Sequence, residues 1–526
     1  NKDKSLVADG AGGYLWVDPD DVRAREVRLL DPVSRVGDAG GTPADNLLVR
    51  GDGLDAMRSL ARIPEYAEVY RGRVKLVYID PPFNTRQAFE HYDDSLEHSV
   101  WLGMMRERLE AIRDLLAPDG SVWVHLDDAE MAYCKVLMDE VFGRQNFVAT
   151  VVWQRTNSPR NSAQFLSSDT DYLLVYAQEI DRLSFNMLGR TDEMDAKFKN
   201  PDGDERGPWF AADLSARNFY SKGSYVVTAP GGKQHGPGAG RFWAVSEDTM
   251  GQLDADGRIW WGSAGNNKPT RKLFLAEVRQ GRVPSTMWLP EEVGYVRNGK
   301  QETKSLLGGD PFATPKPERL LERVLTIGSS PGDIVLDAFA GSGTTAAVAH
   351  KMGRRWVTVE QQESTVDVFT RPRLAKVVDG EDPGGVTEST GWTGGGGFSE
   401  LRVAPPVVEV SEAGSVTTVA LQAEPGRIER AVAAQLGYEL DAVPHPDAVC
   451  GPGLIGRSGR SRLAVTRSVA DEGLVAVLVS ELGDDELLLL AAPMVAPGTR
   501  EALAAAVPGS RVVRYPRELF TARAAR

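Results

Sequence analysis

The 526-residue sequence predicts an α/β protein with a mainly parallel sheet, interrupted by a long irregular insertion and followed by a small separate α/β domain. Three observations carry this. Buried-strand runs alternate with helical periodicity over residues 74–153 and again over 317–360. Between them, from about Arg155 to Gly309, periodicity weakens while aromatic residues, Gly and Pro crowd in. After a Gly-rich break at 380–397, the stretch Phe398 to Arg526 carries short apolar runs and no lysine. A chain of this length exceeds one core and suggests about three domains.

The elements follow in order. Val74 to Ile79 reads as a buried strand that stops at Asp80-Pro81-Pro82. A helical pattern runs from about Leu96 to Leu116 and is closed by Pro118-Asp119-Gly120; a strand at 121–126, a helix at 129–142 and a strand at 147–153 come next. The insertion holds Trp209, Phe210, Phe219, Tyr220, Phe242, Trp243, Trp260 and Trp261. Regular signals return as a helix at 317–327, a strand at 333–336, a helix at 344–352 and a strand at 355–360. The expected division is therefore an N-terminal extension (1–44), the first half of the core (45–154), the insertion (155–309), the second half of the core (310–378), a Gly-rich linker (379–400) and a C-terminal α/β domain (401–526).

Composition excludes several classes. With 42% hydrophobic and 25% charged residues the chain is an ordinary globular sequence. It contains no run of about 18 apolar residues, and its N-terminus, Asn1-Lys2-Asp3-Lys4, carries no signal-peptide pattern, so a cytoplasmic protein without a membrane partner is expected. Cys134 and Cys450 have no metal-ligand spacing and read as free thiols; no metal is expected. The net charge of −14 runs against phosphate binding. However, residues 151–310 hold 20 Lys+Arg against 20 Asp+Glu, so that segment is neutral and leaves room for a basic face.

The segment Asp337-Ala338-Phe339-Ala340-Gly341-Ser342-Gly343-Thr344-Thr345 joins a strand to a helix, and its glycines let backbone approach a ligand closely. Glu360 ends the next strand, where a carboxylate accepts hydrogen bonds from ribose hydroxyls. Three readings stand side by side: S-adenosylmethionine, a dinucleotide on Gly341-x-Gly343-x-x-Ala346, and a plain glycine turn. Asp337 favours the first, because an acid at the strand end suits an ammonium and repels a pyrophosphate.

Asp80-Pro81-Pro82-Phe83 follows a strand directly and so lies at the carboxyl edge of a sheet. An aromatic amine such as N6 of adenine is a poor nucleophile, because its lone pair is delocalised into the ring. Acceptors against both N–H groups favour pyramidal nitrogen. Asp80 supplies one, and the carbonyl of Pro81, kept out of helical geometry by the next proline, supplies the other. Pro82 stiffens the loop. Phe83 offers a face for a base taken out of the duplex. Taken alone, the four residues can equally be a strand terminator with a core phenylalanine; together with the glycine loop, each signal implies the other.

Here the chain resembles the β class of amino-methyltransferases, in which the catalytic tetrad precedes the cofactor loop and a target-recognition domain lies between them. It is most similar to the Mod subunits of type III restriction–modification systems, with related phage-defence methyltransferases beside them. The matching stretches include Asp45 to Leu48, Arg71 to Thr85, His98 to Leu102, Lys135 to Gly143, Thr314-Pro315-Lys316-Pro317-Glu318, the cofactor loop and Gly394 to Phe398. The resemblance implies a Rossmann-like S-adenosylmethionine-dependent methyltransferase fold with an inserted target-recognition domain. It implies that Asp337, Phe339, Gly341, Gly343 and Thr344 line the cofactor, Glu360 holds its ribose, Asp52 approaches its adenine and Lys316 lies where the chain closes over its methionine end. It further implies double-stranded DNA as partner, a homodimer, and a restriction or defence-system subunit. Phe83 departs from the Tyr more usual in the family, and stacking survives that change. The expected activity is adenine-N6 methylation; the alternatives are cytosine-N4 methylation, where Ser is usual in place of Asp80, a specificity subunit without catalysis, and a dinucleotide enzyme. Arg155, Arg160, Arg271 and Lys272 are candidate DNA contacts of the insertion.

Overall fold

The computed structural model describes residues 3–8, 13–84, 88–89, 92–93, 96–158, 165–310, 312–410, 416–418, 426–441, 453–516 and 518–519. The chain forms two compact units, one of residues 1–186 with 285–526 and one of 187–284.

The first unit is built on a ten-stranded sheet. Its strands are β1 (Leu30–Gly37), β2 (Asn46–Arg50), β3 (Val74–Ile79), β4 (Leu116–Leu126), β5 (Phe147–Gln154), β6 (Thr170–Ala177), β7 (Met287–Trp288), β8 (Ile334–Asp337), β9 (Arg355–Glu360) and β10 (Gly397–Val403). They lie in the order β7-β5-β6-β4-β3-β8-β9-β2-β10-β1. The run from β4 to β10 is parallel throughout; β6 is antiparallel to both neighbours, and β1 is antiparallel to β10. The apolar runs of β3 and β8 suit strands covered on both faces, and every residue of β8 is buried. Helices Gly53–Arg62, His98–Leu115, Glu318–Gly328 and Thr344–Lys351 supply buried faces.

The decisive pairing is β3 with β8, Leu76 beside Val335 and Val77 beside Leu336. The chain leaves the sheet after β3 in one direction and after β8 in the other, which makes their carboxyl ends a switch point where an open α/β sheet binds ligands. Asp80 and Asp337 stand there.

Several boundaries differ from expectation. Leu30–Gly37, placed in an N-terminal extension, is an edge strand, and the end of the Gly-rich linker is the start of β10. Gly397 faces Gly37 across that pair, and a Cβ on Gly397 would come within 2.4 Å of the Val36 carbonyl oxygen, so glycine there answers close backbone approach. Thr170–Ala177, placed in the insertion, is a central strand, and the compact inserted unit is the narrower 187–284. Pro118-Asp119-Gly120 lies inside β4, where pairing with β3 shifts register between Val74 and Leu76.

The 187–284 unit holds a three-stranded sheet of Trp209–Asp213, Thr270–Phe274 and Ile259–Trp260, and a small core around Leu214, Trp243 and Trp261. The C-terminal segment, expected as a separate α/β domain, falls within the first compact unit and holds a five-stranded sheet of β11 (Glu439–Leu440), β12 (Leu454–Ser458), β13 (Ser461–Val465), β14 (Leu487–Ala492) and β15 (Arg511–Arg514), with helices Arg427–Leu436, Glu472–Ser480 and Thr499–Ala506. Cys134 is a buried free thiol, and Cys450 lies outside the described residues. Among the described residues no helix is long and apolar enough to cross a membrane.

Strand β10 is locked by charge. Arg50 on β2 donates to Glu400 on β10 at 2.5 Å and to Glu363 and Asp367 at 2.7 Å, while Glu400 also accepts from Ser34 of β1 and Arg371. Glu400 is only 1% exposed. Removing one member of such a buried network strands the other. Glu400→Ala is expected to lower the unfolding free energy by about 3 kcal/mol, the lower end of that range because Arg50 keeps two carboxylates. Urea denaturation measures it.

Candidate active site

A cavity of about 710 Å³ opens at the carboxyl ends of β3, β8 and β9, within the range of sites that hold a nucleotide-sized ligand. It has a tetrad end and a glycine-loop end.

At the tetrad end, Asp80, Pro81, Pro82 and Phe83 all line the wall. Trp101 Nε1 donates to the Pro82 carbonyl at 2.8 Å and fixes the loop. Asn84 takes a left-handed backbone (φ 61°), which asparagine tolerates better than most residues, and its amide donates to buried Glu130 at 2.7 Å. Asp80 Oδ2 accepts from Lys316 Nζ at 2.5 Å; Asp80 Oδ1 is buried and has no hydrogen-bond partner among the described residues. The Lys316 ammonium also lies 5.0 Å from the centre of the Phe83 ring. Lys316 is thus brought to the tetrad's own acceptor.

Beneath the tetrad runs a polar chain. Tyr78 and Asp80 are two residues apart along the same strand direction. Burial, then the charges of Asp80 and Asp337, push the Tyr78 phenol well above its ordinary value, so it stays protonated and donates to His125 Nδ1 at 2.7 Å. Burial, then the Lys316 charge, lowers the His125 imidazole, leaving it neutral with Nε2 donating to Asp171 at 3.3 Å. Arg155 Nε lies 3.2 Å from the other Asp171 oxygen. His125 packs 5.9 Å from the Phe83 ring, centre to centre. Arg155, expected as a DNA contact, is held in the cavity wall. Lys272, expected likewise, is buried and bonded to Asp202 and Asp204. Arg271 is half-buried beside it on the strand Thr270–Phe274, and Arg160 lies outside the described residues.

At the other end, Gly341 turns with φ 49°, and a Cβ there would press on Phe312 at 3.2 Å. Its N–H donates to Glu360 Oε2 at 2.8 Å, and the Gln362 N–H donates to Oε1 at 2.9 Å, which aims the carboxylate along the wall. Asp337 accepts from the Phe339 N–H at 2.9 Å. Burial pushes its carboxyl up to about 7; bonds from Thr345 and Phe339 oppose this, and the charges of Asp80 and Glu360 add to it. Phe339, Gly341, Thr344 and Glu360 line the cavity. Gly343 does not: it takes φ 76° to start helix Thr344–Lys351, and its role is conformational. Thr344 turns its hydroxyl to Arg373 at 2.9 Å.

Asp52 also stands behind the wall rather than in it. It caps helix Gly53–Arg62 through Leu54 N–H at 2.8 Å and pairs with Arg108. Gly53 and Arg108 line the cavity in its place. A Cβ on Gly53 would come within 2.7 Å of the Ala338 carbonyl, so glycine lets this helix meet the loop. The Arg108 guanidinium lies 5.8 Å from the Phe339 ring centre. Sequence reasoning missed the part that Arg108, Trp101, His125 and Asp171 play in the site: Trp101 falls in the family-matching stretch His98 to Leu102, which says nothing of its contact with Pro82.

The loop end therefore offers two inward carboxylates and a half-buried aromatic, which fits a nucleoside bearing positive charge and disfavours a pyrophosphate. Beside it stands a buried acceptor on a rigid proline turn. Together these make the cavity a candidate site for a cationic nucleoside beside an amine. The sequence pattern of the DNA methylase family matches residues 74–371, and the chain belongs to that family. Its relatives include the probable type III restriction–modification enzyme HindVI Mod subunit of Haemophilus influenzae, 30% identical over 69% of this chain and 55% of the relative. They also include the StyLTI Mod subunit of Salmonella typhimurium (32%, over 63% and 57%) and the type II methyltransferase M.EcaI of Enterobacter cloacae (28%, over 55% and 62%). The chain thus spans little more than half the length of the curated relatives it matches.

The Asp337 carboxyl sets a pH dependence. Below about 7 it is mostly neutral, and a cationic ligand needs it ionised, so affinity is retained at high pH and lost as pH falls through about 7. Calorimetric titration with S-adenosylmethionine is expected to give binding roughly tenfold weaker at pH 6 than at pH 8. Asp337→Asn is expected to bind weakly with a flat profile.

Proposed function

We propose that this chain transfers a methyl group from S-adenosylmethionine to N6 of adenine in duplex DNA, after taking the base out of the stack. The observation that carries the reading is Asp80 Oδ1, a buried acceptor without a partner among the described residues, on a side chain that lines the cavity with Asp337 and Glu360. A buried carboxylate oxygen left unpaired is costly, and an amine N–H satisfies it. S-adenosylmethionine supplies an activated methyl group when bound. The residues that would hold it are Asp337 for its ammonium, Glu360 for its ribose and Phe339 with Arg108 beside its adenine.

The protein's part is orientation. Asp80 Oδ1 and the Pro81 carbonyl accept the two N–H groups of the amine, so the nitrogen lone pair turns outward. Phe83 stacks on the base from one side, its ring supported by His125. Holding nucleophile and methyl donor in line supplies about 7–11 kcal/mol of the barrier reduction. Asp rather than Ser at position 80 supports adenine over cytosine, and similarity to Mod subunits supports the same choice. We assign target reading to residues 187–284, and the similarity supports a place in a restriction–modification or phage-defence system, with the chain acting as a homodimer.

Asp80→Ala is expected to lower methyl transfer to plasmid DNA by ~10²–10³-fold while S-adenosylmethionine still binds. Nucleoside digestion of DNA methylated by the unaltered chain is expected to yield N6-methyladenine; N4-methylcytosine alone would overturn the adenine assignment.

A further inference from the structure

We infer that Lys316 is a positioning residue of the base pocket, clamping one oxygen of Asp80 so that the other faces the incoming amine. The inference rests on the methyl-transfer reading above and deepens it. The family resemblance puts Lys316 beside the methionine end of the cofactor, whereas the geometry points to the base. Lys316 Nζ reaches two side chains of the tetrad, 2.5 Å from Asp80 Oδ2 and 5.0 Å from the Phe83 ring centre. The residue is 8% exposed. The oxygen it leaves alone, Oδ1, is buried and without a partner among the described residues.

Its backbone is held from two sides. Gly299, on helix Val296–Leu307, packs so closely that a Cβ would come within 2.3 Å of the Pro315 carbonyl oxygen and 2.8 Å of the Lys316 carbonyl carbon. The Lys316 carbonyl oxygen lies 3.4 Å from Thr344 Oγ1, at the start of the helix that follows the glycine loop. The ammonium is therefore delivered from the cofactor wall of the cavity to the base wall, and it cannot drift without moving one of these elements.

A carboxylate on one rotatable bond presents either oxygen to its surroundings. Asp80 has a second buried carboxylate, Asp337, close enough that its charge raises the latter. A fixed cation on Oδ2 balances that repulsion and removes the rotational freedom, so Oδ1 meets the amine N–H at a set angle. The same ammonium over Phe83 holds the ring plane on which the base stacks. The substrate group this arrangement recognises is an exocyclic aromatic amine, a donor of two N–H bonds.

The test compares Lys316→Met, Lys316→Arg and the unaltered chain, with tritiated S-adenosylmethionine and plasmid DNA for turnover and calorimetry for cofactor affinity. The Met variant is expected to bind S-adenosylmethionine within about threefold of the unaltered chain while kcat falls by ~10²-fold; the Arg variant, which keeps the charge, is expected to recover to within about tenfold. A Met variant that loses cofactor affinity more than about tenfold with kcat unchanged would place Lys316 on the cofactor and overturn the inference. So would a Met variant faster than the unaltered chain, which would make Lys316 a plug in the base site, or one that matches it. Absence of transfer by the unaltered chain overturns the methyl-transfer reading and this inference with it, whereas the variant outcomes bear on Lys316 alone.

Discussion

Two short contacts of parallel backbone, Leu76 beside Val335 and Val77 beside Leu336, hold the active site together. They join halves of the sheet separated by about 250 residues of chain, which carry Asp80 at one strand end and Asp337 at the next. Closing so long an excursion costs little more than closing a shorter one, because loop entropy grows only with the logarithm of length. A whole inserted unit can therefore sit between the two halves without weakening the pairing. In return, the pairing must be defended by packing alone, and all the apolar residues of β3 and β8 that enter it are fully buried.

The second constraint is charge. Five carboxylates line one cavity, and Asp80, Asp337 and Glu360 stand at the ends of neighbouring strands. Desolvation works against Asp337 and Glu360 being ionised, and the structure answers the three differently. Glu360 receives two backbone N–H groups, Asp80 receives the Lys316 ammonium, and Asp337 receives hydrogen bonds without a cation of its own. Asp337 is left as the site where a ligand's positive charge relieves the most strain. Tyr78 and His125 beneath Asp80 stay neutral through burial, so they add hydrogen bonds without adding charge to a crowded place.

What the sequence makes legible is local. Val74 to Ile79, the glycine loop and Arg355 to Glu360 each announce themselves through contiguous residues, and each strand or turn stands where periodicity predicts. The edge strands β1 and β10 and the central strand β6 are different. They exist through pairing with distant partners: Gly397 with Gly37, Thr170–Ala177 between two strands already formed. A glycine run reads as a linker until the Val36 carbonyl lies against it. The same holds within the site. Asp52 was visible as a carboxylate after a strand, but its role as a helix cap tied to Arg108 depends on a residue 56 positions away. Trp101 and His125 support the tetrad from elements that the sequence does not tie to it.

Lys316 shows why the two halves of the core act as one site rather than two. Its backbone is fixed beside Thr344, on the cofactor half, and its side chain ends on Asp80, on the catalytic half. A tetrad without that lysine keeps its proline turn and its Trp101 anchor, but its carboxylate faces Asp337 across a buried cavity with nothing to hold its rotamer. A cofactor loop without the tetrad keeps Glu360 and Asp337 but has no acceptor for an amine. On the proposed reading, an amine oriented against a methyl donor depends on the β3–β8 junction and on the Lys316 ammonium that spans it.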